Sequence, residues 1–236
     1  MGNAKNITFV YSFRYLDGEI KELTLELDNK TLSFINEENT QEPWAKLENK
    51  KCPNCTLDPQ ENKYCPIANN LSKIIEIFTN SNSAEQVEVT LRSEARNYTK
   101  ETSLQSGLSS LIGIIMVSSG CPILDKLRPL VRYHLPMANL DETRFRVISM
   151  YLLAQYYRKE NGLKPDWKLS GLKEIYAEIG IANKFFCDRL ATMENEDSSV
   201  NAVTILNCFA NYIPFSLTEN LLSNMDSSYK IFLQEE

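Results

Sequence analysis

The chain has a single histidine, no excess of positive charge and no apolar run long enough to cross a membrane. Its 25 Lys and Arg residues are outnumbered by 31 Asp and Glu, which gives a formal net charge of -6 at pH 7. Proteins that grip the nucleic-acid backbone neutralise its phosphates with many basic side chains, so this balance argues against generic nucleic-acid binding. The longest apolar run, Leu111 to Val117, is far shorter than the ~20 residues of a membrane-spanning helix.

The sequence also lacks the usual marks of export, lipidation and common enzyme classes. Its first residues do not lead into the apolar stretch of a secretory signal, and Asn6 stands where an N-myristoylation motif needs Ser or Thr. It has no glycine-rich nucleotide loop, no Ser-His-acid pattern and no His-Glu zinc-hydrolase motif. We therefore expect a cytoplasmic protein without a membrane partner, and the sequence favours a non-enzymatic role without excluding catalysis.

Four of the six cysteines follow a pattern typical of metal ligands. Cys52 and Cys55 are separated by two residues, and Cys65 follows after nine more. A two-residue gap lets two sulfurs converge on one ion from a tight turn, and the chain then returns with a third ligand. In a reducing cytosol this spacing indicates metal ligation or thiol chemistry rather than disulfides. The predicted fourth ligand is Cys121, with His134 as the alternative.

Proline follows three of these cysteines directly, at Pro53, Pro66 and Pro122. Proline is favoured at the first position of a helix, which would place Cys65 and Cys121 at helix N-caps. Free backbone N–H groups and the helix dipole favour a thiolate there, so we expect lowered thiol pKa values. In the plainer interpretation the prolines only start helices, and the cysteines are small buried residues.

The identity of the metal stays open between two candidates. Closed four-cysteine sites on small hairpin supports favour Zn²⁺. An iron-sulfur cluster is the alternative, since Cys-Pro steps occur in cluster-binding sequences and a cluster tolerates a distant fourth cysteine. Zinc knuckles often carry glycine after the second cysteine, where this chain has Thr56. A thioredoxin-type dithiol at Cys52 and Cys55 is disfavoured, because the residues that follow have turn character rather than helical periodicity. Cys187 and Cys208 lie in helical segments and are interpreted as packing cysteines.

A local excess of positive charge follows Cys121. Arg128 and Arg132 are one helical turn apart, and with His134 they would form an anion site if the chain folded back at Pro136. The default alternative is a solvated surface on which these arginines pair with acidic neighbours. Those neighbours are Asp125, Asp141 and Glu142.

Hydrophobic periodicity predicts an α+β fold, with antiparallel strands and hairpins first and a helical bundle after them. Alternation on either side of Asp17-Gly18 predicts a β-hairpin, Thr31–Ile35 a further strand, and residues 87–98 a second hairpin. Trp44 and Leu47 are expected to begin another extended segment. The strand-rich part, 1–101, carries the Cys52, Cys55 and Cys65 turn, and the helical part, 102–236, carries Cys121. We expect the two parts to form one integrated domain.

Helical spacing predicts seven helices. A capping box at Thr102 and Gln105 opens the second, and the fourth is apolar nearly all round and is expected to lie centrally. The predicted ranges are 66–79, 102–120, one beginning at Pro122, 141–159, 170–193, 198–213, and 216–224 with a capping box at Ser216 and Glu219.

A run from Gly107 to Lys159, together with the upstream Cys-Pro motifs, carries a resemblance to a known family. The run contains Ser119-Gly120-Cys121-Pro122, Arg128-Pro129, His134-Leu135-Pro136 and Ser149 to Tyr156. In these features the chain resembles an uncharacterised bacterial domain family of unknown function. The resemblance covers most of the chain and implies a natural single-family unit, but no activity.

Two classes of function follow. One is a metal-stabilised module that acts through contacts with a protein partner or by self-association, with the ion joining the sheet to the helices. The other is a redox or sensor protein, in which a cluster or reactive thiolate works beside an anion site at Arg128, Arg132 and His134.

Overall fold

A four-stranded antiparallel sheet forms the first layer of the fold. The computed structural model describes residues 5–36, 40, 42–193, 197–218 and 229–232. Its strands are β1 (Ile7–Tyr15), β2 (Ile20–Leu27), β3 (Gln86–Ser93) and β4 (Asn97–Ser103), in the spatial order β2-β1-β3-β4. Both predicted hairpins are confirmed, and β1 is joined to β3 with Phe13 opposite Val89.

Alternation along the strands buries one face of the sheet. On β1 the residues Phe9, Tyr11, Phe13 and Tyr15 are buried, as the two-residue period of a strand requires. This face packs against the first two helices, where the ring of Phe13 meets that of Phe78 edge to face at 5.1 Å. The predicted α+β class is therefore correct, and a single hydrophobic cluster draws residues from the sheet and the helices.

In the described residues, six α-helices follow or interrupt the strands. They are α1 (Pro66–Phe78), α2 (Leu104–Ser118), α3 (Pro129–Arg132), α4 (Leu140–Glu160), α5 (Ser170–Leu190) and α6 (Asp197–Thr218), with 3-10 turns at Pro43–Ala45, Leu124–Leu127 and Lys230–Phe232. The largest helix–helix interfaces join α5 to α6 and α2 to α6. Helix α2 carries ten buried residues and lies between the sheet and α6.

One segment of α6, Asp197–Leu217, is long and apolar enough to cross a membrane, and 28% of its apolar window is buried. Core helices of folded domains pass the same test. Helix α6 packs against α2 and α5, which covers part of this segment.

Several predicted elements differ from the structure. The predicted strand Thr31–Ile35 is reduced to an isolated bridge between Leu27 and Phe34, and the expected extended segment at Trp44 is a 3-10 turn. The N-cap position of α2 is Ser103 rather than Thr102, because β4 continues to Ser103, and its side chain makes no capping hydrogen bond to the helix backbone. Pro122 begins a turn and a 3-10 segment rather than an α-helix.

The largest difference concerns α4, which was expected at the centre of the bundle. Only one narrow stripe of it is buried, and that stripe contains Arg144 and Gln155 beside Val147 and Tyr151. Ile148 and Met150 are partly buried against the core. The other large apolar side chains of α4 are exposed, because few elements pack around this helix. The exposed ones are Leu140, Phe145, Leu152, Leu153, Tyr156 and Tyr157.

The predicted break between the last two helices is also wrong. Helix α6 runs through Pro214 and includes Ser216, whose Oγ donates to the Ile213 carbonyl at 2.8 Å. A proline near a helix end removes one internal hydrogen bond without terminating the last turn. The predicted capping partner Glu219 and the remainder of the range to Asn224 lie outside the described residues.

Candidate functional site

The first three cysteines lie on an excursion of the chain between β2 and α1. Hydrogen bonds close this excursion, from Leu47 N–H to the Lys63 carbonyl at 3.0 Å and from Cys65 N–H to the Ala45 carbonyl at 2.9 Å. At its tip, Cys55 N–H donates to the Cys52 carbonyl at 3.0 Å and forms the tight turn expected from the two-residue gap. Cys65 is the N-cap of α1, with Pro66 at the first helical position, as predicted.

Cys121 reaches the same region from the end of α2. It is 7% exposed and follows Gly120, whose φ of +88° lets the chain leave the helix sharply. Asn70 of α1 donates to the Ser119 carbonyl at 3.3 Å, which holds the start of α1 beside the end of α2. Two helices therefore bring Cys65 and Cys121 into one neighbourhood.

The four thiol groups are close enough to interact electrostatically. Cys52 interacts with the other three, and Cys121 interacts with both Cys65 and Cys55. Four cysteines from segments far apart in the chain thus share one neighbourhood. Cys187 and Cys208 do not take part. Cys187 is half-buried with its Sγ 3.9 Å from Thr204 Oγ1, and Cys208 is exposed.

Arg189, near the end of α5, is the one cation among these thiols. Its side chain is 2% exposed and donates to the carbonyls of Trp44 at 2.8 Å, Lys46 at 2.5 Å and Leu47 at 3.4 Å. It interacts electrostatically with Cys65 first, then with Cys52 and Cys55. Sequence analysis missed this residue, since one arginine beside Phe186 and Leu190 in a helical pattern carries no motif.

Burial controls the protonation of the cysteines. It raises the pKa of Cys52 to about 12 and that of Cys121 to about 11, and it also raises the pKa of Cys65. Smaller effects lower these pKa values. Arg189 lowers those of Cys52 and Cys65, and backbone N–H groups that follow Cys65 and Cys121 lower those of these two residues. The expected lowering of the thiol pKa values is therefore wrong for the metal-free chain, because desolvation outweighs the helix N-terminus.

The closeness of the four thiols does not by itself show that they bind a metal ion. In the part of the chain that the structure describes, no group of three or more His, Cys, Asp or Glu side chains is placed to hold a metal ion. Metal binding, Zn²⁺ and an iron-sulfur cluster therefore stay predictions.

The three residues of the predicted anion site do not converge. Arg128 donates to the Thr31 carbonyl at 3.1 Å and pairs with Asp125, and Arg132 donates to the side chain and carbonyl of Asn29. Both arginines thus hold the loop after β2. The ion pair of Arg128 with Asp125 agrees with the surface-charge alternative, whereas Arg132 bonds Asn29 rather than an acidic neighbour.

His134 lies elsewhere, on the buried face of the sheet. Its Nε2 is 2.8 Å from the Tyr11 hydroxyl and 3.2 Å from Ser110 Oγ. Burial lowers the pKa of His134 to about 3, with a further contribution from Arg146. The ring is neutral at pH 7 and is not among the electrostatic neighbours of Cys52 and Cys121, and Cys121 stays the predicted fourth ligand.

The fold and the cysteine neighbourhood define an α+β protein in which thiols from the sheet side and the helical side meet. Residues 9–230 match the family described as Domain of unknown function (DUF6901). The chain belongs to this family, which confirms the resemblance to an uncharacterised family. No curated protein and no solved structure matches the chain significantly.

Proposed function

We propose that the protein is a cytoplasmic metal-binding protein in which Cys52, Cys55, Cys65 and Cys121 hold one structural ion, with Zn²⁺ favoured. The ion would join the excursion before α1 to the end of α2, and so connect the sheet half with the helical half. A structural ion of this kind contributes its binding free energy to folding. The protein would then act through contacts with another protein chain rather than through catalysis.

The observation that carries this proposal is the shared neighbourhood of four thiols from three segments of the chain, within the range of electrostatic interaction. Buried thiols also pack as small apolar groups, but four of them together supply the sulfur ligands that a Zn²⁺ site uses once they are deprotonated. Ligation would require the four cysteine side chains to rotate about χ1 until their sulfurs face a common point. Arg189 adds positive charge that offsets part of the negative charge of four thiolates.

Metal analysis of untagged protein, purified without chelator, tests the proposal. We expect about one zinc per chain in wild type and in Cys208→Ser, whose cysteine is exposed on α6. Cys52→Ser and Cys121→Ser should each lose most of the metal. Metal-free wild type, or a Cys121→Ser variant that keeps its full complement of metal, would refute the four-cysteine site.

An iron-sulfur cluster is the second candidate, because the same four thiolates would also suit a cluster. Brown protein that contains iron and acid-labile sulfide would support it over zinc. It would also favour the redox or sensor role.

The interaction role rests on the exposed apolar side chains of α4, since surfaces of this kind mark protein contacts. Sedimentation of the metal-loaded protein separates self-association from binding of a different chain. A concentration-dependent dimer indicates self-association. A monomer at all concentrations directs the search to another protein.

A further inference from the structure

A cavity of about 310 Å³ lies within the helical half, away from the cysteines. Helices α2, α4, α5 and α6 surround it, together with the loop after α3. Its volume is in the range of small-molecule sites, which often lie between helices of bundles. At ~30 Å³ for each liquid water molecule, it has room for roughly ten non-hydrogen atoms.

The charge lining this cavity is entirely positive. Lys100 and Arg146 are its charged residues, and no Asp or Glu lines it among the described residues. Arg146 Nη2 donates to the carbonyls of Leu130 at 3.1 Å and Tyr133 at 3.2 Å, which fixes the guanidinium at the cavity wall. The nearby carboxylate of Glu142 accepts from Asn139 N–H at 2.8 Å, at the start of α4.

Arg146 forms no ion pair with any carboxylate in the described part of the chain. Burial lowers its pKa, which reflects the cost of keeping a guanidinium partly out of water. A partly desolvated arginine beside an apolar cavity is suited to a planar anion such as a carboxylate.

A second polar group lines the cavity at a distance from Arg146. Asn183 is 3% exposed, and its Oδ1 has no hydrogen-bond partner among the described residues. An unpaired buried acceptor is uncommon in folded proteins and calls for a donor. Asn183 lies seven residues after Tyr176, which interacts electrostatically with Arg146. Seven residues of helix span about 10 Å and return to the same face, and both Tyr176 and Asn183 line the cavity.

We propose that this cavity binds a small apolar carboxylate that carries a hydroxyl group at its far end. The carboxylate accepts hydrogen bonds from Arg146, and the hydroxyl donates to Asn183 Oδ1. The apolar body of the ligand lies against Ile179 and Leu206, which line the wall between the two ends. This site is independent of the cysteines and of any metal.

Calorimetric titration with three probes tests the two ends separately. The probe 3-(4-hydroxyphenyl)propionate has both polar groups, 3-phenylpropionate lacks the hydroxyl, and 4-propylphenol lacks the carboxylate. We expect one molecule of the first probe per chain, with tenfold or greater weakening for each truncated probe, since each loses one hydrogen-bonded end. Equal binding of all three, or no saturable binding of the first at about 1 mM, would overturn the proposal.

Two variants assign the ends to residues. Arg146→Gln should abolish the preference for the first probe over 4-propylphenol, and Asn183→Leu should abolish its preference over 3-phenylpropionate. Arg14→Gln, which removes a charge from the far side of the sheet, should bind all three probes as wild type does.

Arg146→Gln also removes the hydrogen bonds to the Leu130 and Tyr133 carbonyls, so its probe binding is interpreted after circular dichroism has shown that the variant folds. Asn183→Leu keeps the branched, four-heavy-atom shape of the side chain without its polar atoms, and it tests the hydroxyl end independently of Arg146. A folded Asn183→Leu protein that still prefers the hydroxylated probe tenfold would refute the assignment.

Discussion

The guanidinium of Arg189 donates a 2.8 Å hydrogen bond to the main-chain carbonyl of Trp44, and so ties the end of α5 to the segment that leads into the cysteine turn. The same side chain also bonds the carbonyls of Lys46 and Leu47. One buried cation therefore satisfies three acceptors of an excursion that has little regular secondary structure. Replacing Arg189 should therefore lower the stability of the fold and remove a positive charge from beside the thiols.

Arg189→Met should lower the free energy of unfolding by about 2 kcal/mol or more, because three main-chain carbonyls lose a charged donor, although those of Trp44 and Lys46 keep a second one, from Asn49. Arg189→Lys should recover only part of this loss, since lysine keeps the charge but not the planar fork. Urea denaturation measures both. The control is Arg14→Met on the exposed face of β1, for which we expect a change within about 0.5 kcal/mol. Equal effects at the two positions would contradict the structural role of Arg189.

Chelation should lower the melting temperature of the wild-type protein if the four cysteines hold an ion, because an ion that binds only the folded state stabilises it. Cys121→Ser should melt lower than wild type and be insensitive to chelator. Cys187→Ser should respond to chelator as wild type does, since that thiol lies beside Thr204 and not among the four. Thermal melts with and without chelator supply the measurement. A chelator effect that persists in Cys121→Ser would show that the ion is held elsewhere.

Acid should destabilise the protein through His134. Its pKa falls from 6.5 to about 3 on folding, so the unfolded chain binds the proton more tightly. The stability that this neutral ring contributes is fully present above pH 6.5 and is lost as the pH falls towards 3. Denaturant melts between pH 7 and pH 4.5 should follow this slope, and His134→Gln should flatten it. Because the chain has one histidine, an unchanged slope in the variant would contradict the assignment.

Gly107→Ala should destabilise the fold, because an added Cβ would lie 2.7 Å from Val89 Cγ2 and 2.8 Å from a ring carbon of Phe13. Overpacking of this kind costs about 1–3 kcal/mol. Gly113 lies on the same helix, where an added Cβ meets Leu206 at 3.4 Å. We expect Gly113→Ala to be neutral or mildly stabilising, since alanine is the better helix former. Equilibrium unfolding of both variants distinguishes tight packing from a general effect of helix glycines.

The elements with strong local signals were predicted well. The Asp17-Gly18 turn and the alternation around it define the first hairpin, and Pro66 marks the start of α1. Local sequence patterns predicted less well the features that depend on how elements pack together. An apolar α4 was expected at the centre, yet no local pattern reports how many neighbours a helix has. The segment Thr31–Ile35 alternates like a strand but pairs only at Phe34.

At the candidate site, spacing grouped Cys52, Cys55 and Cys65, and the structure also brings Cys121 near them. Their protonation was predicted in the wrong direction, because sequence shows a helix start but not the depth of burial around it. Arg189 and Asn183 escaped notice for a related reason. Each is a single polar residue in a helix, and its role depends on groups that other elements of the fold bring near it.

The pairing of β1 with β3 constrains how the protein folds. These two central strands are neighbours in the sheet, yet the cysteine excursion and α1 lie between them in the chain. Their pairing must therefore close a long loop, and the entropy of that closure slows formation of such non-local contacts. A cation captured early by the first three thiols would shorten the free part of the loop, and refolding would then accelerate with metal concentration.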